Sequence, residues 1–392
     1  MSFNLESVQN ALRAEALDGW LFFDHHHRDP LAYRILRLDA SSICSRRWYY
    51  YVPASGDPAG LVHQIEPSSL AGLPGSIEKY SSWTSQLDAL RKMLAGARRV
   101  AMQFSPDCAI PTLSMVDGGT VDLIRGLGVE VASSANLVQY FEARLSEAQL
   151  ASHLEAGRRV DTIRRQAFER IGERIRQAEP VTEWDIQQFI RARFDQEGLF
   201  TDHGPNVSVN ANSSNPHYDP QPGACSAIRS GDTVLIDLWA RFPDADGVYY
   251  DITWTGYCGP NPPSAFENVF DVVREARDRA IRRVQDAAGE GRPLRAFEVD
   301  DAARGHIRER GFEQYFFHRT GHSIGPDIHG AGANMDNLET HDDRNVIPGT
   351  LFSVEPGIYL PEFGVRLEVN VFVDEKGARV TGERQIRPVL VG

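Results

Sequence analysis

Asp237, Asp251, His322, Glu355 and Glu368 are the side chains in this sequence whose types suit a divalent-metal site. Asp237 closes the apolar run Val234-Leu235-Ile236, where a carboxylate must be paired, hydrogen-bonded or bound to a cation. Asp251 sits in the next apolar run, 249–253, and a hairpin of the two runs would set the aspartates facing each other. Taken alone this is a weak signal, because an aspartate on a strand is more often a turn or cap residue. The stretch 318–329 carries His318, His322 and His329 among Gly and Pro, a pattern that no single helix presents on one face. A loop that merely contains histidine is the plain alternative, but histidine is also the usual ligand and proton carrier near neutral pH. In 353–359 Glu355 stands at a Pro-Gly turn. In 364–370 the apolar Val365, Leu367 and Val369 alternate with Arg366, Glu368 and Asn370, so a strand would put the polar trio on one face. A solvated polar face is the ordinary reading of such a strand, and Glu355 next door weakens it. Four carboxylates and one imidazole form a hard, oxygen-rich set suited to manganese and able to take cobalt or zinc. Their charge offsets two divalent cations, and the chemistry implied is activated water attacking a polarised carbonyl.

These residues need elements to position them. Strands are expected at 233–242, 248–257, 351–355, 365–373 and 379–380, with a short one at 207–209 inside a polar loop, 204–223. Helices are expected at 146–177, 184–194 (capped by Thr182), 265–288 and 296–310. The first 145 residues instead alternate short helices (5–16, 30–38, 86–94, 112–127) with short strands (20–23, 47–52, 100–104, 129–132), the pattern of an α/β layer domain. Asp29 and Pro30 read as the cap and first turn of one of those helices. A two-domain chain with a boundary near 145–150 follows, written here as 1–146 and 147–392.

At 392 residues the chain is too long for one core, which agrees with two domains. Hydrophobic residues at 42% and charged residues at 24% exclude a disordered or fibrous chain. Lys plus Arg number 41 against 54 Asp plus Glu, a net charge of −13 that argues against a nucleic-acid binder. Cys44, Cys108, Cys225 and Cys258 are scattered and form no CxxC pair, which fits a reducing cytosol. The N-terminus reads as an amphipathic helix and not as a signal peptide. No stretch approaches the roughly 18 apolar residues of a membrane span. A cytoplasmic protein is expected.

The order Asp237…Asp251-Ile252-Thr253…His318-xxx-His322-xx-Gly325-xxx-His329…Glu355-Pro356-Gly357-Ile358-Tyr359…Val365-Arg366-Leu367-Glu368 resembles the proline-specific pita-bread metallopeptidases, the family of Xaa-Pro dipeptidase (prolidase) and aminopeptidase P with creatinase among its relatives. The resemblance covers 145–392 and implies an α/β N-terminal domain plus an α+β pita-bread catalytic domain. It implies two divalent ions, with Asp251 and Glu368 bridging, Asp237 completing one shell, and His322 and Glu355 the other. Glu355 would also carry the proton. His217 would hydrogen-bond the substrate, His329 would stabilise the oxyanion, and His318, Arg366 and Tyr359 would line the substrate pocket. A homodimer acting on small Xaa-Pro peptides is the family expectation. Dipeptide cleavage leads; aminopeptidase P action on longer peptides and creatinase-like non-peptidase hydrolysis are the alternatives.

The sequence departs from the family pattern at Leu238-Trp239 after the first aspartate, at the long turn 242–246, at Trp254 and at Val369. These residues imply a reshaped or narrowed pocket. In the N-terminal domain, 24–29 holds three adjacent histidines that read as a polar loop, since neighbouring side chains converge poorly on a metal. In the family dimer one subunit's N-domain approaches the other's active site, so Arg46 and Asp39 would there contact a small substrate's charged ends. An ordinary surface salt bridge is the plainer reading.

Overall fold

Gly19–Asp24 is buried at every position, as an interior strand flanked by helices must be. The computed structural model describes residues 3–392. The chain divides into two units, one ending at Glu142 and one beginning at Ala143. The division falls just before the expected boundary because 143–146 is tied to the second unit: Leu145 N donates to Gly349 O, and Arg144 bridges to Thr350.

In the first unit, β1 (Gly19–Asp24), β2 (Trp48–Pro53), β3 (Ala59–His63), β4 (Ser76–Tyr80), β5 (Arg99–Met102) and β6 (Glu130–Ser133) form one sheet in the order β4-β3-β2-β1-β5-β6. Strand β2 is antiparallel to both neighbours, and the other five run in one direction. The helices are α1 (Leu5–Ala14), α2 (Pro30–Leu36), α3 (Trp83–Met93), α4 (Gly118–Arg125) and α5 (Ala135–Glu142). Asp29 caps α2 through Ala32 N, with Pro30 in its first turn. The helix expected at 112–127 starts only at Gly118. Pro111 opens a 3₁₀ turn, and Met115 N and Val116 N are drawn to Gln103 O, so Asp117 becomes the cap.

In the second unit, α6 (Glu147–Arg176) starts at a Ser146–Gln149 capping box and α7 (Glu183–Gln196) at a Thr182–Asp185 box. Both cover a sheet of β7 (Asn206–Val209), β8 (Thr233–Ala240) and β9 (Tyr250–Tyr257), joined by the C-terminal β15 (Val389–Leu390) in the order β15-β9-β8-β7. Helices α8 (Ser264–Glu290) and α9 (Phe297–Glu309) cover β10 (Leu351–Val354), β13 (Val369–Asp374) and β14 (Gly377–Val380), and a hairpin of β11 (Gly357–Tyr359) and β12 (Gly364–Arg366). The strand expected over 365–373 is broken. Arg366 pairs with Gly357 in β11, Val369 pairs with Val354 in β10, and between them Glu368 N donates to Thr253 O in β9. The chain changes partners at Glu368, and that break joins the two layers where the carboxylates meet. No described helix is long and apolar enough to cross a membrane.

Candidate metal centre

Strands β8 and β9 pair with Asp237 opposite Thr253 and Trp239 opposite Asp251. The two aspartates therefore stand diagonally on one face and not opposite each other as the sequence suggested. Asn370 pins the backbone of Asp251: its Oδ1 accepts Asp251 N at 3.0 Å, and its Nδ2 donates to Asp251 O. The segment 320–323 runs beside β10, where Glu355 N donates to Thr320 O and Ser353 N to His322 O. A Cβ on Gly321 would lie 1.9 Å from Ser353 O, so this approach admits only glycine. Ser353 Oγ accepts His322 N and donates to Glu355 Oε1, fixing both residues together.

Among the described residues, ligand atoms of Asp251, His322 and Glu368 converge to within 4.8 Å of one another. His322 Nε2 lies 3.5 Å from Asp251 Oδ2 and 3.4 Å from Glu355 Oε1. His322 Nδ1 faces the carbonyl of Ser323 at 3.1 Å and so holds the proton, which leaves Nε2 a bare acceptor aimed at acceptors. Asp251 Oδ1 and Glu368 Oε1 are buried without any hydrogen-bond partner. Burial and mutual repulsion push the carboxyls of Asp251 and Glu368 well above the usual range, and burial lowers His322. Glu355 goes the other way: burial opposes its ionisation, but its neighbours His322 and Arg366 outweigh that and lower it. Orphaned carboxylate oxygens around an unprotonated imidazole nitrogen are what a divalent cation satisfies, so the residues fit a metal.

Asp237 stands apart from that triad. Its carboxylate is paired with Arg366 Nη2, and burial pushes it up to about 7 against that charge. Arg366 is buried and fully engaged: Nε donates to Thr253 Oγ1 at 2.9 Å, Nη1 to Tyr359 Oη at 3.3 Å, and Nε lies 4.0 Å from Glu355 Oε2. Thr253 Oγ1 in turn donates to Glu368 Oε2 at 2.8 Å. Arg366, Glu368 and Asn370 are 4%, 3% and 1% exposed, so the solvated-face reading of that strand is wrong.

These groups open onto a cavity of about 780 Å³ lined by Asp237, Asp251, His322, Glu355, Arg366 and Glu368, with His217, His318 and His329 around them. His329 lies edge-on to His322, with ring centroids 4.5 Å apart. His318 Nε2 meets Tyr359 Oη at 2.7 Å, and burial lowers its pKa to about 4. Tyr359 does not line the cavity; it is buried behind His318 and Arg366, holding both. His217 is exposed on the cavity wall, in a loop tied down by buried Glu183, which accepts from Val209 N, Ser226 N and Tyr218 Oη.

Of the bulky departures, Trp239 alone enters the cavity wall. It donates to Asp202 at 3.0 Å and packs so tightly on Gly204 that a Cβ there would lie 2.3 Å from its ring. Leu238 is buried in the core beneath, and Trp254 lies under the Arg164 guanidinium at 3.4 Å. The reshaping is therefore confined to one wall. Sequence reasoning missed Thr253, Ser353 and Arg191; the first two are hydroxyls inside recognised motifs, and Arg191 reaches the cavity from α7, where it binds Gly204 O. In the first unit Asp39 bonds Ser41 and Arg46 bonds Ser45, so the surface salt bridge expected between them does not form. The 24–29 segment is a closed loop in which Asp24 accepts from the backbones of His27, Arg28 and Asp29.

Residues 152–375, more than half of the chain, match the profile of the family described as Metallopeptidase family M24. A probable dipeptidase PepE from Mycobacterium tuberculosis is 28% identical over 337 residues, covering 83% of this chain and 81% of the relative. The Xaa-Pro dipeptidase of Pyrococcus furiosus is 35% identical over 153 residues, 39% of this chain and 40% of that protein. The crystal structure of the dipeptidase PepE from Mycobacterium ulcerans superposes with a TM-score of 0.68 at 23% identity, covering 99% of this chain and 96% of that one. The fold is thus an α/β unit followed by an α+β pita-bread unit.

Proposed function

Because the chain belongs to metallopeptidase family M24, we propose that it hydrolyses the peptide bond before proline, with Xaa-Pro dipeptides as its substrates. The observation that carries this reading is the buried acceptor set, Asp251 Oδ1, Glu368 Oε1 and His322 Nε2, with no donor among them. Asp251, Glu368, His322, Glu355 and Asp237 would hold two divalent ions, manganese first among them, and the ions when bound polarise the scissile carbonyl and acidify water.

The chain's own residues supply the rest. Glu355, held by Ser353 and 3.4 Å from His322, takes a proton from water at its free carboxylate oxygen and delivers it to the leaving nitrogen. His329 donates towards the developing oxyanion from beside His322. His217 binds substrate from the cavity wall, and His318, kept neutral by burial and braced by Tyr359, packs against the proline ring. Arg366 neutralises part of the carboxylate charge and orients Asp237.

Support for dipeptides over longer peptides comes from Trp239, fixed to Asp202 and Gly204 on the cavity wall, and from the relatives named dipeptidases. The test is a substrate panel on chelator-stripped protein restored with manganese: Ala-Pro, Leu-Pro, Ala-Pro-Ala and Ala-Ala. Turnover confined to the first two is expected. Equal cleavage of Ala-Pro-Ala would replace the dipeptidase reading with aminopeptidase P, and cleavage of none would remove the peptidase reading.

A further inference from the structure

A second cavity, of about 560 Å³, lies in the first unit at the carboxyl edge of its sheet. Strands β1, β3 and β4 all end there, at Asp24, His63 and Tyr80. The reversed strand β2 begins at the same edge, which brings Arg46 and Arg47 beside Arg28 from the loop after β1. In open α/β sheets the crevice outside the carboxyl ends of the strands is where ligands bind, and this volume suits a small molecule.

The lining is strongly cationic in a chain of net charge −13. Neither the Arg28 nor the Arg47 guanidinium is held by a hydrogen bond or ion pair among the described residues. Asp117 reaches the same wall, but its carboxylate caps α4 through Thr120 N and Oγ1. His63 Nδ1 accepts Ile65 N, so the proton of the neutral ring sits on Nε2 as a donor. Burial lowers the pKa of His25, and the neighbouring Arg28 and Arg47 guanidiniums lower it further. The first turn of α3 also faces this edge, but Ser82 and Ser85 already cap it, so the anion-attracting charge comes from side chains. Trp83 stands 73% exposed on the wall, a flat apolar face beside the arginines.

We propose that this cavity is a binding site for a small organic phosphate, its phosphate gripped by Arg28 and Arg47 and its ring system laid on Trp83. Guanidinium groups bind phosphate oxygens in pairs, and their flat partner here selects a planar ring. The cavity lies within the first unit, and none of the metal-site residues lines it.

The experiment is calorimetric titration of the full chain with adenosine monophosphate, ribose 5-phosphate, inorganic phosphate and citrate in physiological salt. Adenosine monophosphate is expected to bind with a Kd below about 1 mM and more tightly than ribose 5-phosphate. The double substitution Arg28→Ala, Arg47→Ala should weaken it at least about tenfold and leave the ligand-free melting temperature unchanged, since neither guanidinium is bonded. Trp83→Ala should erase the preference for the ring. Binding that survives the double substitution would belong to the metal centre and overturn the proposal. Citrate binding as tightly as adenosine monophosphate would overturn the phosphate assignment. Absence of heat with every probe, or a double variant that changes only the sedimentation mass, would overturn the small-molecule site.

Discussion

Replacing Thr253 with valine removes one oxygen and almost nothing else, yet that oxygen links Arg366 to Glu368. Thr253 is fully buried; its Oγ1 accepts from Arg366 Nε at 2.9 Å and donates to Glu368 Oε2 at 2.8 Å. Hydrogen bonds to charged groups contribute about 1.5–3 kcal/mol each, and valine leaves Arg366 Nε and Glu368 Oε2 buried without the hydroxyl that joins them. Stability should fall by about 3 kcal/mol. The second consequence falls on the metal. Glu368 loses the bond that orients its carboxylate, and partners of this kind set metal affinity by about 10–100-fold, or about 1.4–2.8 kcal/mol. Competition for manganese against a chelating dye measures the affinity, and thermal melting of the stripped chain measures the stability. Thr253→Ser keeps the hydroxyl and should restore both. If Thr253→Val binds manganese within about twofold of the parent, Thr253 does not orient Glu368 for metal and the reasoning fails.

His217→Ala should leave the melting temperature unchanged, because the residue is exposed and its hydrogen bond runs from its backbone N to Asn215 Oδ1, while kcat/KM on Ala-Pro falls about 100-fold; an unchanged kcat/KM would remove it from the reaction. Gly321→Ala forces a Cβ to 1.9 Å from the Ser353 carbonyl, a backbone atom that cannot yield cheaply, and should cost about 3 kcal/mol in denaturant titration; a stable, metal-binding variant would contradict the close approach. Burial lowers His153 to about 4, while in the unfolded chain it titrates near the ordinary value of about 6.5. Its contribution is complete above pH 6.5 and is lost as pH falls through about 4, a drop of about 3 kcal/mol. His153→Gln should be less stable at pH 7 but decline less steeply over that window, and an unchanged slope would refute the assignment.

How far the sequence carried the account is clear from individual residues. Burial demands explain the carboxylates: Asp237 at the end of an apolar run and Glu368 in an alternating strand both signalled a paired or metal-bound charge, and both lie in one pocket. Periodicity also placed the long helices, because α6 and α8 bury one stripe each against a sheet. Pairing register was not legible, since diagonal and opposite aspartates leave the same alternation. Nor was the change of partners at Glu368, where an unbroken polar–apolar pattern spans two strands in different sheets. Strand β3 went unseen because Gly60 lies inside it, and β4 because it is largely exposed. Tyr359 looked like a substrate residue by its place in the motif, whereas the fold turns its hydroxyl onto His318 and Arg366.

The central claim, that Asp251, Glu368 and His322 converge to hold catalytic metal, is tested most directly by counting metal and turnover together. Elemental analysis of the parent chain and of Glu368→Gln, each stripped and re-equilibrated with manganese, should run beside Ala-Pro hydrolysis on the same samples. Two ions per parent chain are expected, fewer in Glu368→Gln, with activity that rises with occupancy and vanishes on stripping. Full Ala-Pro turnover by a chain carrying only substoichiometric metal would contradict it.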